Sequence, residues 1–373
     1  MFHIALFIAF LYLVWRLVLP LPYSRLSKVI LSLFLLFISK YHWLQLWIWG
    51  NMFSPELPTW AVLILGGLFA GFVVLLLLTL VGDIIYLIRR FILRQKHAKL
   101  TTSARFAIMG LSVVLTVFGV HQAIQVPDVR TVEVPIKDLP AELDGFKVTH
   151  LTDLHVSHLF KHDWLNEVVK RTNDTQPDVI AISGDLIDGF VENRLPDIDA
   201  YKELKARYGV FMSLGNHEYY YDGPAWAKTF QNMGMHVLEN AHQLIEHQGQ
   251  SIVIAGVNDE VAERFHLEGP NLTKALNNAP TSAPIILMDH RPKNTRTNIQ
   301  AGVDLQLSGH THGGMIIGFT EIVRAFNQGF VSGLYKVGNG WLYQGNGTGL
   351  WNGFPIRIGV PSEITVLILK KAS

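Results

Sequence analysis

The chain has 373 residues and no cysteine, which excludes disulfides, thiolate metal sites and cysteine nucleophiles. A formal net charge of +1 argues against a nucleic-acid partner or a polyacidic substrate. Hydrophobic residues make up 49% and charged residues 16%, too apolar for an ordinary soluble enzyme, and the excess sits in the first third.

Four apolar segments open the chain. Residues 2–21 carry Arg16 as their one charge, and residues 29–49 are interrupted by Lys40 and His42. Residues 60–81 are uncharged and followed by Asp83, and residues 106–124 are uncharged. A span needs about 20 mostly apolar residues, so the first, third and fourth segments are expected to cross a bilayer. The second has a short uninterrupted core. It either crosses or lies in the interface, with Trp43, Trp47 and Trp49 at headgroup depth. The first segment lacks a basic n-region and an A-x-A-like cleavage site, so it reads as a retained anchor rather than a signal peptide. Arg89, Arg90, Arg94, Lys96 and Lys99 separate the third and fourth segments. The positive-inside rule holds that cluster in the cytoplasm and places everything after Ile124 outside it. The expectation is a transmembrane anchor over 1–124 and a second domain over 125–373, integral to the plasma or inner membrane.

A short linker with Pro127 leads to an alternating strand over 131–135 and then to a buried strand beginning at Val148. Leu165, Val168 and Val169 suggest a helix, and 225–233 reads as another. Further buried strands are expected over 179–183, 210–214, 252–257, 285–288 and 303–307, and 364–369 closes a sheet. Strands alternating with helices early and crowding together later argue for an α/β sandwich.

Polar clusters follow these strands. Asp153 and His155 are two positions apart, so they point the same way if strand geometry persists to its tip. Gly184-Asp185-Leu186-Ile187-Asp188 and Gly215-Asn216-His217-Glu218 follow the next two strands of this series. Asp289-His290-Arg291 and Gly309-His310-Thr311-His312 follow two more. Open α/β sheets bind ligands beyond the carboxyl ends of their strands, and all five clusters fall there. Imidazole, carboxylate and amide donors without a thiolate suit Mn, Fe or Zn ions.

The ordered set D-x-H, G-D-x-x-D, G-N-H-E, H and G-H-x-H resembles the calcineurin-like metallophosphoesterases, and the run 345–363 is similar to their membrane-associated bacterial branch. The resemblance implies a four-layer α-β-β-α sandwich behind a bundle of about four transmembrane helices. It implies two divalent metal ions (Mn, Fe or Zn), one held by Asp153, His155, Asp185 and His312, the other by Asp185, Asn216, His290 and His310. A hydroxide bridging them would attack phosphorus in line. His217 would face the leaving oxygen as proton donor, with Glu218 or Asp188 orienting a neighbouring group. Arg291 would contact a substrate phosphate, or serve a structural salt bridge. The Gly-rich run 345–355 lacks the Lys-Ser/Thr of a nucleotide P-loop; it lines the site or caps the core. The expected activity is hydrolysis of phosphoesters by a membrane-anchored enzyme, on a phospholipid or lipid-linked substrate because the linker is short. The alternatives are a soluble-nucleotide phosphodiesterase with a passive anchor and a non-enzymatic membrane sensor. No obligate protein partner is implied.

Overall fold

The computed structural model describes residues 2–95 and 99–372; Lys96 of the basic link lies outside the described residues. The chain forms two compact units. One comprises Met1–Ala123 with Asn352–Ile358, the other Ile124–Trp351 with Gly359–Ser373.

The first unit is helical. Among the described residues, Thr59–Ile92 and Thr102–Ala123 are long and apolar enough to cross a membrane. Arg25–Ser39 and Tyr41–Trp49 make a third span if the pair, bent by 54°, is counted as one. Phe2–Val18 is shorter, because Pro20 and Pro22 cannot continue a helix. At 1.5 Å per residue it reaches about 25 Å, short of the roughly 30 Å hydrocarbon core. Arg16, the one charge of this segment, finds the carboxylate behind the third: its Nε donates to Asp83 Oδ2 at 2.7 Å, and the Tyr12 hydroxyl donates to the same oxygen at 2.7 Å. Pairing is what makes such groups tolerable among apolar helices.

Asn352–Ile358 packs into this helical unit although it lies far along the chain. His42 Nε2 stands 3.0 Å from the Gly353 carbonyl, and the Phe69 and Phe354 rings meet edge to face at 5.8 Å. The Arg357 amide donates to the Gly119 carbonyl at 2.9 Å. A Cβ on Gly119 would stand 2.6 Å from the Ile356 side chain, so only glycine lets the segment approach the helix this closely.

Among the described residues, the second unit contains twelve strands: β1 Asp128–Ile136, β2 Lys147–Leu151, β3 Val179–Ser183, β4 Val210–Ser213, β5 His236–Val237, β6 Ala241–His247, β7 Gln250–Gly256, β8 Ile285–Met288, β9 Leu305–Ser308, β10 Gly333–Val337, β11 Gly340–Gln344 and β12 Glu363–Lys371. They form two six-stranded sheets, ordered β1-β12-β2-β3-β4-β5 and β10-β11-β9-β8-β7-β6. Within the first, β2, β3, β4 and β5 are parallel; within the second, β7, β8, β9 and β11 are parallel. Alternation decides what each face buries. Ile252, Ile254, Ile286 and Met288 join Val148, Val179 and Phe211 in a core shared by both sheets. Val253, Ala255, Ile285 and Leu287 face the other way, onto Ile299 of the helix Thr295–Gln300. The helix His162–Asp174 likewise buries Leu165, Val168, Val169 and Thr172. The result is the expected α/β sandwich. With β3, β4, β8 and β9 buried along their whole length and β2 along nearly all of it, the carboxyl ends of these five strands remain as the places where polar side chains can gather.

Candidate active site

The loops behind those five strands come together. β2 stops at Leu151, and Asp153 and His155 adopt φ of +53° and +48°. Strand geometry therefore does not run to the tip, and the two side chains converge through a turn rather than by alternation. Asp185, His310 and His312 share the left-handed region, at +56°, +69° and +49°. Non-glycine residues enter that region at a cost of about 1–3 kcal/mol each, and only where surrounding contacts enforce it. Here the contacts are backbone clamps. The amides of Asp153 and His155 donate to the carbonyls of Gly184 and Asp185, both at 3.0 Å. Thr348 and Gly349 donate to the carbonyls of Thr152 and Asp153 at 2.7 and 2.9 Å. The Gly-rich run thus braces the Asp153 loop with its first half, and its continuation Asn352–Ile358 belongs to the helical unit.

Three groups of donors result, each with its ligand atoms within 4.8 Å of one another: Asp153, His155 and His312; His155, Asp185 and His217; Asp185, His290 and His310. His312 Nε2 lies 3.5 Å from Asp153 Oδ1 and 3.3 Å from His155 Nε2. His155 Nε2 lies 3.9 Å from both Asp153 and Asp185, and His290 Nε2 lies 3.2 Å from Asp185 Oδ2. His155 is shared by the first two groups and Asp185 by the last two. Asp185 Oδ1 accepts the His217 amide at 2.8 Å, while Asp153 accepts the His310 amide at 3.0 Å. Gly215 is needed beside it, since a Cβ there would stand 2.3 Å from Asp185 Oδ1.

The histidines are oriented by what their second nitrogens bond. His290 Nδ1 donates to the Ser183 carbonyl at 2.7 Å, turning Nε2 toward Asp185. Asp188 accepts from His155 Nδ1 at 3.1 Å and from His217 Nδ1, leaving both Nε2 atoms facing the carboxylates. Glu218 accepts three backbone amides, from Asp185 at 2.9 Å, Leu186 at 2.7 Å and Gly215 at 2.8 Å, so it ties the G-D-x-x-D loop to the G-N-H-E turn.

Asp153, Asp185, Asp188, His155 and His290 are fully or almost fully buried. Burial pushes Asp153 up, and the neighbouring Asp185 charge adds to it. Burial acts on Asp185 in the same sense, but the His290 and His217 imidazoles outweigh it and hold it well below the usual carboxylate range. For the imidazoles the balance reverses. Burial opposes their charge, yet Asp185 and Asp153 raise His290 to about 10, and Asp185 and Asp188 raise His217 to about 9. His310 is pushed well below its ordinary value by burial and by Arg291. Buried carboxylates this close require countercharge. The hard oxygen and imidazole donors are of the kind that takes it from divalent cations, so the residues fit the metal centre the motifs imply.

Asn216 and Arg291 complete the rim. Arg291 donates from Nε to Asp259 Oδ2 at 2.6 Å, from Nη2 to Asn216 Oδ1 at 3.0 Å and from Nη1 to His310 Nε2 at 3.1 Å. Arg291 and His310 also line a cavity of about 420 Å³. Arg291 thus makes the structural ion pair, with the buried Asp259, and also lines this cavity. Sequence reasoning missed Asp259. Its signal was Asn258-Asp259-Glu260, a polar cluster directly behind the apolar run at 252–257.

The model of the calcineurin-like phosphoesterase family matches residues 146–314. The chain is 32% identical over 329 residues to a transmembrane protein with metallophosphoesterase domain from Danio rerio, covering 84% of this chain and 75% of that one. It is 34% identical to an uncharacterized metallophosphoesterase of Campylobacter jejuni, covering 71% and 69%. It is also 34% identical to the similarly named Bos taurus protein, covering 74% and 65%. The names of the Danio rerio and Bos taurus relatives and the two apolar helices agree on membrane association. With its buried carboxylates and imidazoles gathered behind five strand ends, the chain belongs to the calcineurin-like metallophosphoesterases, metal-dependent hydrolases of phosphoesters.

Proposed function

We propose that the chain is a membrane-anchored phosphoesterase with a two-cation centre that acts on a lipid or lipid-linked phosphoester. The observation that carries the reading is the meeting of Asp153, His155, Asp185, His290, His310 and His312 in overlapping groups, all buried but the half-buried His310. One cation would be held by Asp153, His155, Asp185 and His312, the other by Asp185, Asn216, His290 and His310, with Asp185 shared. When bound, such a pair polarises a phosphate oxygen and lowers the pKa of water between the ions. The chain's own residues do the rest. Asp188 fixes His217 through Nδ1, so Nε2–H is the proton offered to the leaving oxygen. Arg291, held by Asp259, presents its guanidinium where a phosphate enters beside His310.

The lipid assignment draws on the linker. Only Ile124–Pro127, residues 124–127, separate the last apolar helix from β1, and a chain that short spans about 14 Å at most. The extracytoplasmic side is read from Arg89 and Arg90 at the end of the first long helix and Arg94 and Lys99 just beyond it. The test is to load the full-length protein with Mn²⁺ and assay an aryl phosphodiester, then repeat with Asp185→Asn and His217→Ala. We expect metal-dependent turnover that falls at least 100-fold in Asp185→Asn. Equal, metal-independent rates in all three proteins would refute the enzymatic reading.

A further inference from the structure

The helix Phe319–Phe326 has no buried residue. Its apolar side chains are Phe319, Ile322, Val323 and Phe326, at positions i, i+3, i+4 and i+7, the spacing of one continuous stripe. A stripe of this kind normally faces a core. Here Ile322 is 47% and Phe326 85% exposed, and Ile317, just ahead of the helix, is 71% exposed. The opposite face carries the Glu321–Arg324 ion pair at 3.1 Å. The helix follows the G-H-T-H-G-G loop almost directly, and Phe326 lines the same 420 Å³ cavity as Arg291, Lys293 and His310. Across Arg291 a second cavity of about 300 Å³ begins at the 3-10 turn Glu260–Phe265. There Phe265, 45% exposed, packs at 6.4 Å from Tyr220, which packs at 5.4 Å from His217.

The cavity beside the metal-ligand cluster therefore sets two cations, Arg291 and Lys293, against one carboxylate, Glu260, and Phe326 of the uncovered apolar helix forms part of its wall. That combination matches one ligand chemistry, a phosphate joined to a long hydrocarbon chain: the anion meets Arg291 and the chain meets the stripe. A free nucleotide would leave the stripe in water. We propose that Phe319–Phe326 is the acyl-chain seat of this phosphoesterase, with the hydrocarbon of a lipid phosphoester laid along Ile322 and Phe326 while its phosphate occupies the cavity lined by Arg291, Lys293 and His310. The proposal rests on the phosphoesterase reading above and narrows its substrate class.

Alkyl phosphates test it, because chain length can be varied at a constant head group. Butyl, hexyl and octyl phosphate are titrated against the full-length, Mn²⁺-loaded protein in nanodiscs. Binding is read by calorimetry and, in parallel, as inhibition of aryl phosphodiester hydrolysis. Full burial of a methylene corresponds to about a fourfold gain. On a seat open along one side, octyl phosphate should bind at least tenfold tighter than butyl phosphate. In Ile322→Ser/Phe326→Ser, whose altered side chains are already exposed, that ratio should shrink to threefold or less, with thermal melting confirming the fold. A ratio near one in the unaltered protein overturns the proposal. So does an unchanged ratio in the double variant, which would assign the chain-length effect to the surrounding bilayer. If the protein turns over no aryl diester yet keeps a chain-length dependence that the double variant loses, the enzymatic reading fails and the lipid seat stands.

Discussion

At the scale of single residues, this site depends on groups that would touch neither a cation nor a substrate. Asp188 holds two imidazoles through one carboxylate oxygen, and a ligand's outer partner typically contributes 10–100-fold in metal affinity or activity. Asp188→Asn should therefore lower kcat/KM on an aryl phosphodiester by at least tenfold while the melting temperature changes little. A rate equal to that of the unaltered protein would remove Asp188 from this role. Glu218 works on the backbone instead. Glu218→Ala would leave three buried amides without their acceptor, and each orphaned donor costs about 1–3 kcal/mol. We expect a loss of about 3 kcal/mol or more in denaturant unfolding, and weaker metal binding because Asp185 is no longer held in place.

Legibility from sequence also differs residue by residue. The D-x-H, G-D-x-x-D, G-N-H-E and G-H-x-H motifs pointed to side chains that do converge, because each sits on a loop directly behind a strand whose apolar run is plain. The manner of convergence was not legible. Alternation put Asp153 and His155 on one face of a continuing strand, whereas both lie in a left-handed turn clamped by the Asp185 and Gly-rich loops. The role of Asp259 was missed for a related reason: its cluster follows a strand, but its partnership with Arg291 spans 32 residues and exists only once β7 and β8 lie side by side.

At the scale of elements, strands buried on both faces were readable to the residue, as β3 and β8 show, since continuous apolar runs allow little else. Two partly exposed strands, β6 and β10, were not, although the alternation of β1 was. β6 reads AHQLIEH, and most of β10 is only half-buried. The helix Phe319–Phe326 escaped notice because its stripe occupies only two turns. Among the apolar segments, length and composition alone overstated the first: Pro20 and Pro22 truncate it. Packing of the helical unit gives a further expectation. Gly119→Val would drive a side chain into Ile356, and overpacking of this kind costs about 1–3 kcal/mol. Gly110→Val on the same helix meets nothing within 4 Å. The first substitution should lower the melting temperature of the detergent-solubilised protein and the second should leave it unchanged. Equal melting curves would show that the Asn352–Ile358 packing contributes no stability.

At the scale of the whole molecule, cation binding and folding should be linked. A ligand that binds only the folded chain at 100 times its Kd stabilises it by about 2.7 kcal/mol. Mn²⁺ should accordingly raise the melting temperature of the full-length protein, a chelator should reverse the rise, and Asp185→Asn should abolish it. The side of the membrane is tested separately. A C-terminal fusion to a reporter that fluoresces only in the cytoplasm should stay dark, and bright cells would invert the proposed topology.

The placement of Asn352–Ile358 bears on how such a protein can be handled. Severing the polypeptide at Ile124 to obtain a water-soluble hydrolase would separate Phe354 and Ile356, now 7% and 0% exposed, from the helices that cover them. Those greasy side chains would then hang from the very loop whose earlier residues steady Asp153. A truncated preparation that clumps or loses activity would therefore say little about the intact enzyme, because the cut uncovers Asn352–Ile358.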